Sequence, residues 1–108
     1  MENVNKIELQ GIIGSSRITS FGNKEVLRLT VATNIIYKGG DGMAVVDTTW
    51  HNVSYFKKPE DNMDFSTFVK GSGVKVSGRL KMNRYTTSDG CERYSYEVVA
   101  NTMELIKE

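Results

Sequence analysis

Apolar residues in this chain recur at every second position, the signature of strands with one face buried. In Lys6–Gly14, Ile7, Leu9 and Ile13 share one parity. In Glu25–Thr33, Leu27, Leu29 and Val31 face one way, and Arg28, Thr30 and the following Asn34 face the other. Val74–Arg84 sets Val74, Val76, Leu80 and Met82 on an inner parity with Gly78 among them, and Arg93–Glu104 does the same with Tyr94, Tyr96, Val98 and Ala100. Turn signals separate these runs: SSRITSFGNKE after the first, GGDG within Tyr37–Asp47 as a flexible hairpin tip, and SDG at Ser88–Gly90. Helical spacing occurs once, at Phe65, Phe68 and Val69, with Pro59 near the start and Gly71 at the stop. It predicts a helix of about two to three turns.

The remaining strand, Thr49–Phe56, has two faces that disagree in an unusual way. Thr49, His51, Val53 and Tyr55 share one side; Trp50, Asn52, Ser54 and Phe56 share the other. A core face would not normally hold Asn and Ser between its aromatics, because each buried polar group needs a partner. A wet face would not normally carry Trp and Phe. Flat rings with polar gaps suit a surface on which bases stack. The competing reading buries both rings under a loop or in a subunit interface.

Five strands, with one short helix between the third and fourth, is the order of the OB-fold, an all-β Greek-key barrel that commonly binds oligonucleotides. Length agrees: 108 residues make one domain, 1–108, with no repeat or linker to divide it. Hydrophobic residues at 39% and charged residues at 25% are ordinary for a globular chain. No apolar run is long enough to span a membrane, and the N-terminus lacks signal-peptide organisation. The single Cys91 forms no intrachain disulfide. Cytoplasmic residence is the resulting expectation.

Net charge is only +1, but its distribution matters. Between Phe65 and Ser88 there is no acidic residue, while Lys70, Lys75, Arg79, Lys81 and Arg84 fall there. Lys75, Ser77, Arg79, Lys81, Asn83 and Tyr85 form the outer parity of the fourth strand, a basic row ending in a ring. Taken alone, such a row is an ordinary solvated edge. Beside Trp50 and Phe56 it becomes a positive groove with stacking platforms, where cations meet phosphates and rings meet bases. Tyr37 is a further candidate platform, and Lys38 a candidate phosphate contact whose competing reading is a simply solvated loop lysine. Enzyme readings fail: one His and one Cys build no metal cluster, and neither GxGxxG nor GxxxxGK[ST] is present. No catalytic residue, cofactor, metal or small-molecule substrate is expected. His51, on the inward or interfacial parity, is assigned a structural or subunit-contact role, and Tyr55 shares that side.

At these residues the chain resembles the bacterial single-stranded DNA-binding protein family. The matching pieces are NKIELQGIIG, LTVATN, TTWHNVSYF, VKGSGVKVSGRLK and DGCERYSYEVVAN, in order across nearly the whole chain. The resemblance implies an OB barrel and a homo-oligomer, a tetramer or a dimer. It implies binding of single-stranded DNA without sequence preference in replication, recombination and repair. It puts Tyr37, Trp50, Phe56 and Tyr85 at the family's base-stacking positions, two of them Tyr where members often have Trp. His51 falls at the family's subunit-contact histidine. The segment SSRITSFGNKE is shorter than usual, Asn52 replaces a frequent basic residue, and no acidic tip follows ELIKE. An OB domain used mainly for primosomal-type protein assembly is the alternative reading.

Overall fold

A computed structural model describes residues 1–106. Five long strands form a closed barrel: β1 (Ile7–Phe21), β2 (Lys24–Lys38), β3 (Ala44–Phe56), β4 (Gly73–Thr86) and β5 (Glu92–Leu105). Around the barrel the order is β1-β2-β3-β5-β4, and β4 closes it against β1. All neighbours are antiparallel except β3 and β5, which pair in parallel at Val53↔Val98 and Ser54↔Val99. Strand β1 serves two partners. Ile7–Ile12 lies against β4, and Ile12–Phe21 lies against β2. A bulge at Gly14 marks the change, in keeping with the corner-turning role of bulges in barrels.

The alternating residues build the core as expected. Leu9, Ile13, Leu27, Leu29, Val31, Val53, Val74, Val76 and Val98 are all buried in one cluster. The strands are longer than the apolar alternation alone suggests. SSRITSFGNKE is not an irregular piece but the second half of β1, turning only at Gly22–Asn23. Likewise β2 and β3 remain paired out to Lys38↔Ala44, leaving a tip of Gly39–Met43.

Two expectations need correction. The predicted helix is a single 3₁₀ turn, Phe65–Thr67. Asp61 and Asp64 accept backbone N–H groups two residues on, from Met63 at 2.9 Å and Ser66 at 3.0 Å. Such local turns compete with helical hydrogen bonding. Phe65 and Phe68 still reach the core, so the apolar spacing served burial without a helix. Second, Leu80, Met82, Tyr94 and Tyr96 lie on the core parity but are exposed. Beyond Gly78 and Val98 the β4–β5 ladder runs on as an arm paired to Thr86↔Glu92, with Asn5 bonding the Leu80 backbone at its root.

Candidate nucleic-acid interface

The core parity of β3 is settled by Val53 and Tyr55, both buried, so Trp50, Asn52, Ser54 and Phe56 point outward. The indole of Trp50 is 61% exposed and the Phe56 ring 47% exposed, which excludes burial of either within the barrel. Their separation of six residues along a strand corresponds to about 20 Å. The cross-strand neighbour of Trp50 is the small Ala32 on β2, with the exposed Ile12 of β1 beyond it. Behind the indole stands Gly14, where an added Cβ would lie 2.3 Å from the Trp50 ring. The bulge glycine thus lets the ring rest on the β1 backbone while the rest of it meets water.

Between the two rings runs a polar groove whose lining includes Arg17, Arg28, Asn52, Ser54, Asn83 and Glu97. Arg17 and Arg28 are direct cross-strand partners. Like charges so placed repel unless an anion intervenes. One anion is supplied by Glu97, whose Oε2 lies 3.7 Å from Arg28 Nη1 and accepts from Ser54 Oγ at 2.8 Å. Arg28 also donates to Ser54 Oγ at 3.2 Å. Ser54 is only 2% exposed but satisfied on both sides, which resolves why a small polar residue sits between aromatics. Arg17 makes no ion pair among the described residues.

The β4 row joins this surface through register. Arg79 pairs with Val99 and Lys81 with Glu97, and Val99 pairs with Ser54. Lys75, Arg79, Lys81 and Tyr85 are all exposed on this outer parity, with Lys75 at the far, β1-facing end opposite Gln10. Lys38 shares the Trp50 parity at the end of the β2–β3 ladder. Past Phe56 the surface continues into a second groove bearing Lys24, Lys57 and Lys58. These three lysines and Arg17 were missed in the sequence because they lie in turns and in a stretch read as irregular. The partial charge runs KK and NKE were their only signal.

Four predicted site residues stand apart from this surface. Tyr37 is exposed but pairs with Val45, and the unbroken register places both on the opposite side of the ladder from Trp50. Arg84 is on the reverse face of the β4–β5 arm, its guanidinium 5.8 Å from the Tyr94 ring centroid. Tyr55 is only 4% exposed and packs edge-on against Phe65 at 5.9 Å, so it offers a subunit no contact surface. Its hydroxyl donates to the Asp61 carboxylate; burial first, and that bond second, push its phenol up to about 12. His51 is half-buried, its Nε2 2.9 Å from Thr33 Oγ1. Among the described residues no cluster of His, Cys, Asp or Glu could hold a metal, and no helix is long and apolar enough to cross a membrane.

A closed five-stranded barrel with open rings and cations along one outer groove is an OB-fold. The chain belongs to the single-strand binding protein family, whose model matches residues 4–106. It is 34% identical over 105 residues to a single-stranded DNA-binding protein of Xanthomonas axonopodis pv. citri, covering 95% of this chain and 58% of that one. A namesake from Neisseria meningitidis serogroup A is 30% identical, with 95% and 60% covered. The chain thus spans about three-fifths of the length of these curated relatives. A solved structure, a Plasmodium falciparum SSB in complex with ssDNA, superposes with a TM-score of 0.81 at 23% identity, covering 98% of this chain and 96% of that one. What it shares with this chain is the fold.

Proposed function

We propose that this protein binds single-stranded DNA with broad base tolerance, in the service of replication, recombination and repair in the cytoplasm. Bases stack on Trp50 and Phe56, and on Tyr85 toward the arm. Phosphates meet Arg17, Arg79, Lys81 and Lys38, with Lys75 and the Lys24, Lys57 and Lys58 group extending the path. Tyr37 and Arg84, on reverse faces, reach a strand that passes around the arms. One observation carries this reading: an open indole set on a glycine bulge, at the end of a groove rimmed by cations. The names of the relatives support it.

Self-association accompanies this activity, as a tetramer or a dimer. The exposed apolar strip of Leu80, Met82, Tyr94 and Tyr96 supports such contact, and His51, half-buried opposite Val31, keeps its subunit-contact role in this reading. The same strip is what favours the alternative, a mainly assembly-forming OB protein. The test is titration with oligo(dT), read by Trp50 fluorescence alongside native mass. Quenching that weakens as salt rises supports the proposal. Assembly without any quenching at low salt supports the alternative instead.

A further inference from the structure

We propose that the cross-strand pair Ile36–Val46 is a further base platform, an aliphatic one, which carries the bound strand from Trp50 out along the β2–β3 hairpin. The inference rests on the single-stranded DNA reading above and deepens it. Register fixes the side. From Ala32↔Trp50 the ladder runs unbroken through Asn34↔Thr48 and Ile36↔Val46 to Lys38↔Ala44, and alternate pairs face the same way. Ile36 and Val46 therefore lie on the Trp50 side, about 13 Å beyond the indole along β3. They are 70% and 58% exposed, so they add little to the core. Strand propensity does not demand them either, because neighbouring positions of the same hairpin meet it with Thr33, Thr48 and Thr49. Ile and Val differ from Thr in gaining from apolar cover.

Charge on the two sides of the hairpin says what that cover is. Among the four pairs on the Trp50 side the one charged residue is Lys38, next in line after Ile36. The reverse side carries Asp47, opposite Ile35. A polyanion is drawn to the first side and repelled from the second. The occupant thus has apolar faces and an anionic backbone: a base lies on Ile36 and Val46, and a phosphate meets Lys38. Tyr37, one residue on, faces away, so the aliphatic pair rather than that ring continues the row of Phe56 and Trp50. Such a surface accepts the flat face of any base and keeps the binding base-tolerant.

The probe is an oligo(dT) of about ten nucleotides, within the roughly 4–16 that one OB fold covers and too short to pass around the hairpin. One-sided cover of each aliphatic side chain should contribute about threefold, and of the pair about tenfold. Ile36→Ser/Val46→Ser is therefore expected to weaken binding about tenfold, read by Trp50 quenching. The slope of log K against log salt should not change, because no phosphate contact is lost. Ile35→Ser removes a comparably exposed side chain from the reverse side; it should stay within twofold of wild type and controls for lost strand propensity. A direct reporter locates the contact: in a Trp50→Phe background, Ile36→Trp should be quenched by the strand and Ile35→Trp should not. Thermal unfolding checks that each variant is folded. Wild-type affinity in the double variant, or equal quenching of the two reporters, overturns the platform. So does a changed native mass with unchanged DNA affinity, which assigns the pair to contact with a second copy of the chain. Each of these leaves quenching of the wild type by oligo(dT) intact, whereas failure of the single-stranded DNA reading is the absence of that quenching.

Discussion

Removing the Trp50 side chain tests the stacking platform most directly. An aromatic side chain presents up to about 250 Å². With 61% of it exposed, roughly 150 Å² is open. A base laid on one face covers about half of that, near 75 Å². At about 25 cal/mol per Å² this amounts to ~2 kcal/mol, within the 1–3 kcal/mol range for base–aromatic stacking. Trp50→Ala should therefore weaken oligo(dT) binding about 30-fold at fixed salt. Because the chain has a single Trp, the variant must be followed by anisotropy of a labelled strand rather than by intrinsic fluorescence. The remaining ~100 Å² of the side chain rests on its surroundings at Gly14, so the variant also loses up to about 2 kcal/mol of stability. Binding should accordingly be measured well below its melting temperature. A dissociation constant within twofold of wild type, in a folded variant, would refute the assignment of this ring to a base.

Gly14→Ala leaves Trp50 in the sequence but pushes its ring, since the new Cβ would stand 2.3 Å away; a shifted emission maximum and weaker oligo(dT) binding are expected. Lys81→Ala should lower the slope of log K against log salt by about 0.7, as for one lost phosphate contact on a single strand. On a strand too short to pass around the arm, Arg84→Ala should change that slope much less, because its side chain lies beside Tyr94 on the reverse face; equal slopes for the two variants on that strand would contradict the facing read from the register. Tyr55→Phe removes the bond to Asp61 and should cost about 1 kcal/mol in urea unfolding at neutral pH. The raised phenol of Tyr55 contributes stability that is whole below 10.0 and lost as pH climbs toward about 12, whereas the lowered carboxyl of Asp61 contributes stability lost as pH falls below its ordinary 3.8. Tyr55→Phe should flatten both flanks, and unchanged pH profiles would show that the pair is not coupled to folding.

The barrel was legible because its central strands obey a period of two on both sides. Leu27, Leu29 and Val31, or Val74 and Val76, leave little choice of face. The same rule misread Leu80, Met82, Tyr94 and Tyr96. Alternation reports which side of a strand is apolar, not whether anything covers it, and here the ladder outruns the barrel. Phe65 and Phe68 spoke for a helix by spacing alone, while the Asp61 and Asp64 side chains decided the backbone locally. In the site, Trp50 and Phe56 were readable from one strand's internal contradiction. Glu97 was not. Its place opposite Lys81 and beside Ser54 depends on β5 crossing to pair in parallel with β3, a long-range fact that no local pattern encodes. The reverse-face placement of Tyr37 and Arg84 was hidden for the same kind of reason, since single-residue parity within a long hairpin sets their side.

The distribution of charge across the groove constrains how a strand can lie in it. Glu97 occupies the floor, held by Ser54 and Arg28, while Arg17 stands on the β1 side and Arg79 and Lys81 on the β4 side. A phosphate entering the floor would meet a carboxylate; one at either rim meets a cation. Bases, which carry the donors that a carboxylate wants, are driven the other way. A strand bound as proposed would therefore carry its backbone on the rims and turn its bases inward, toward Trp50 at one end and Phe56 at the other, about 20 Å apart along β3. A floor of cations alone would hold DNA more tightly but would not choose between its two sides. In the proposed complex the single acid would cost some affinity and in return fix which way the nucleotide faces.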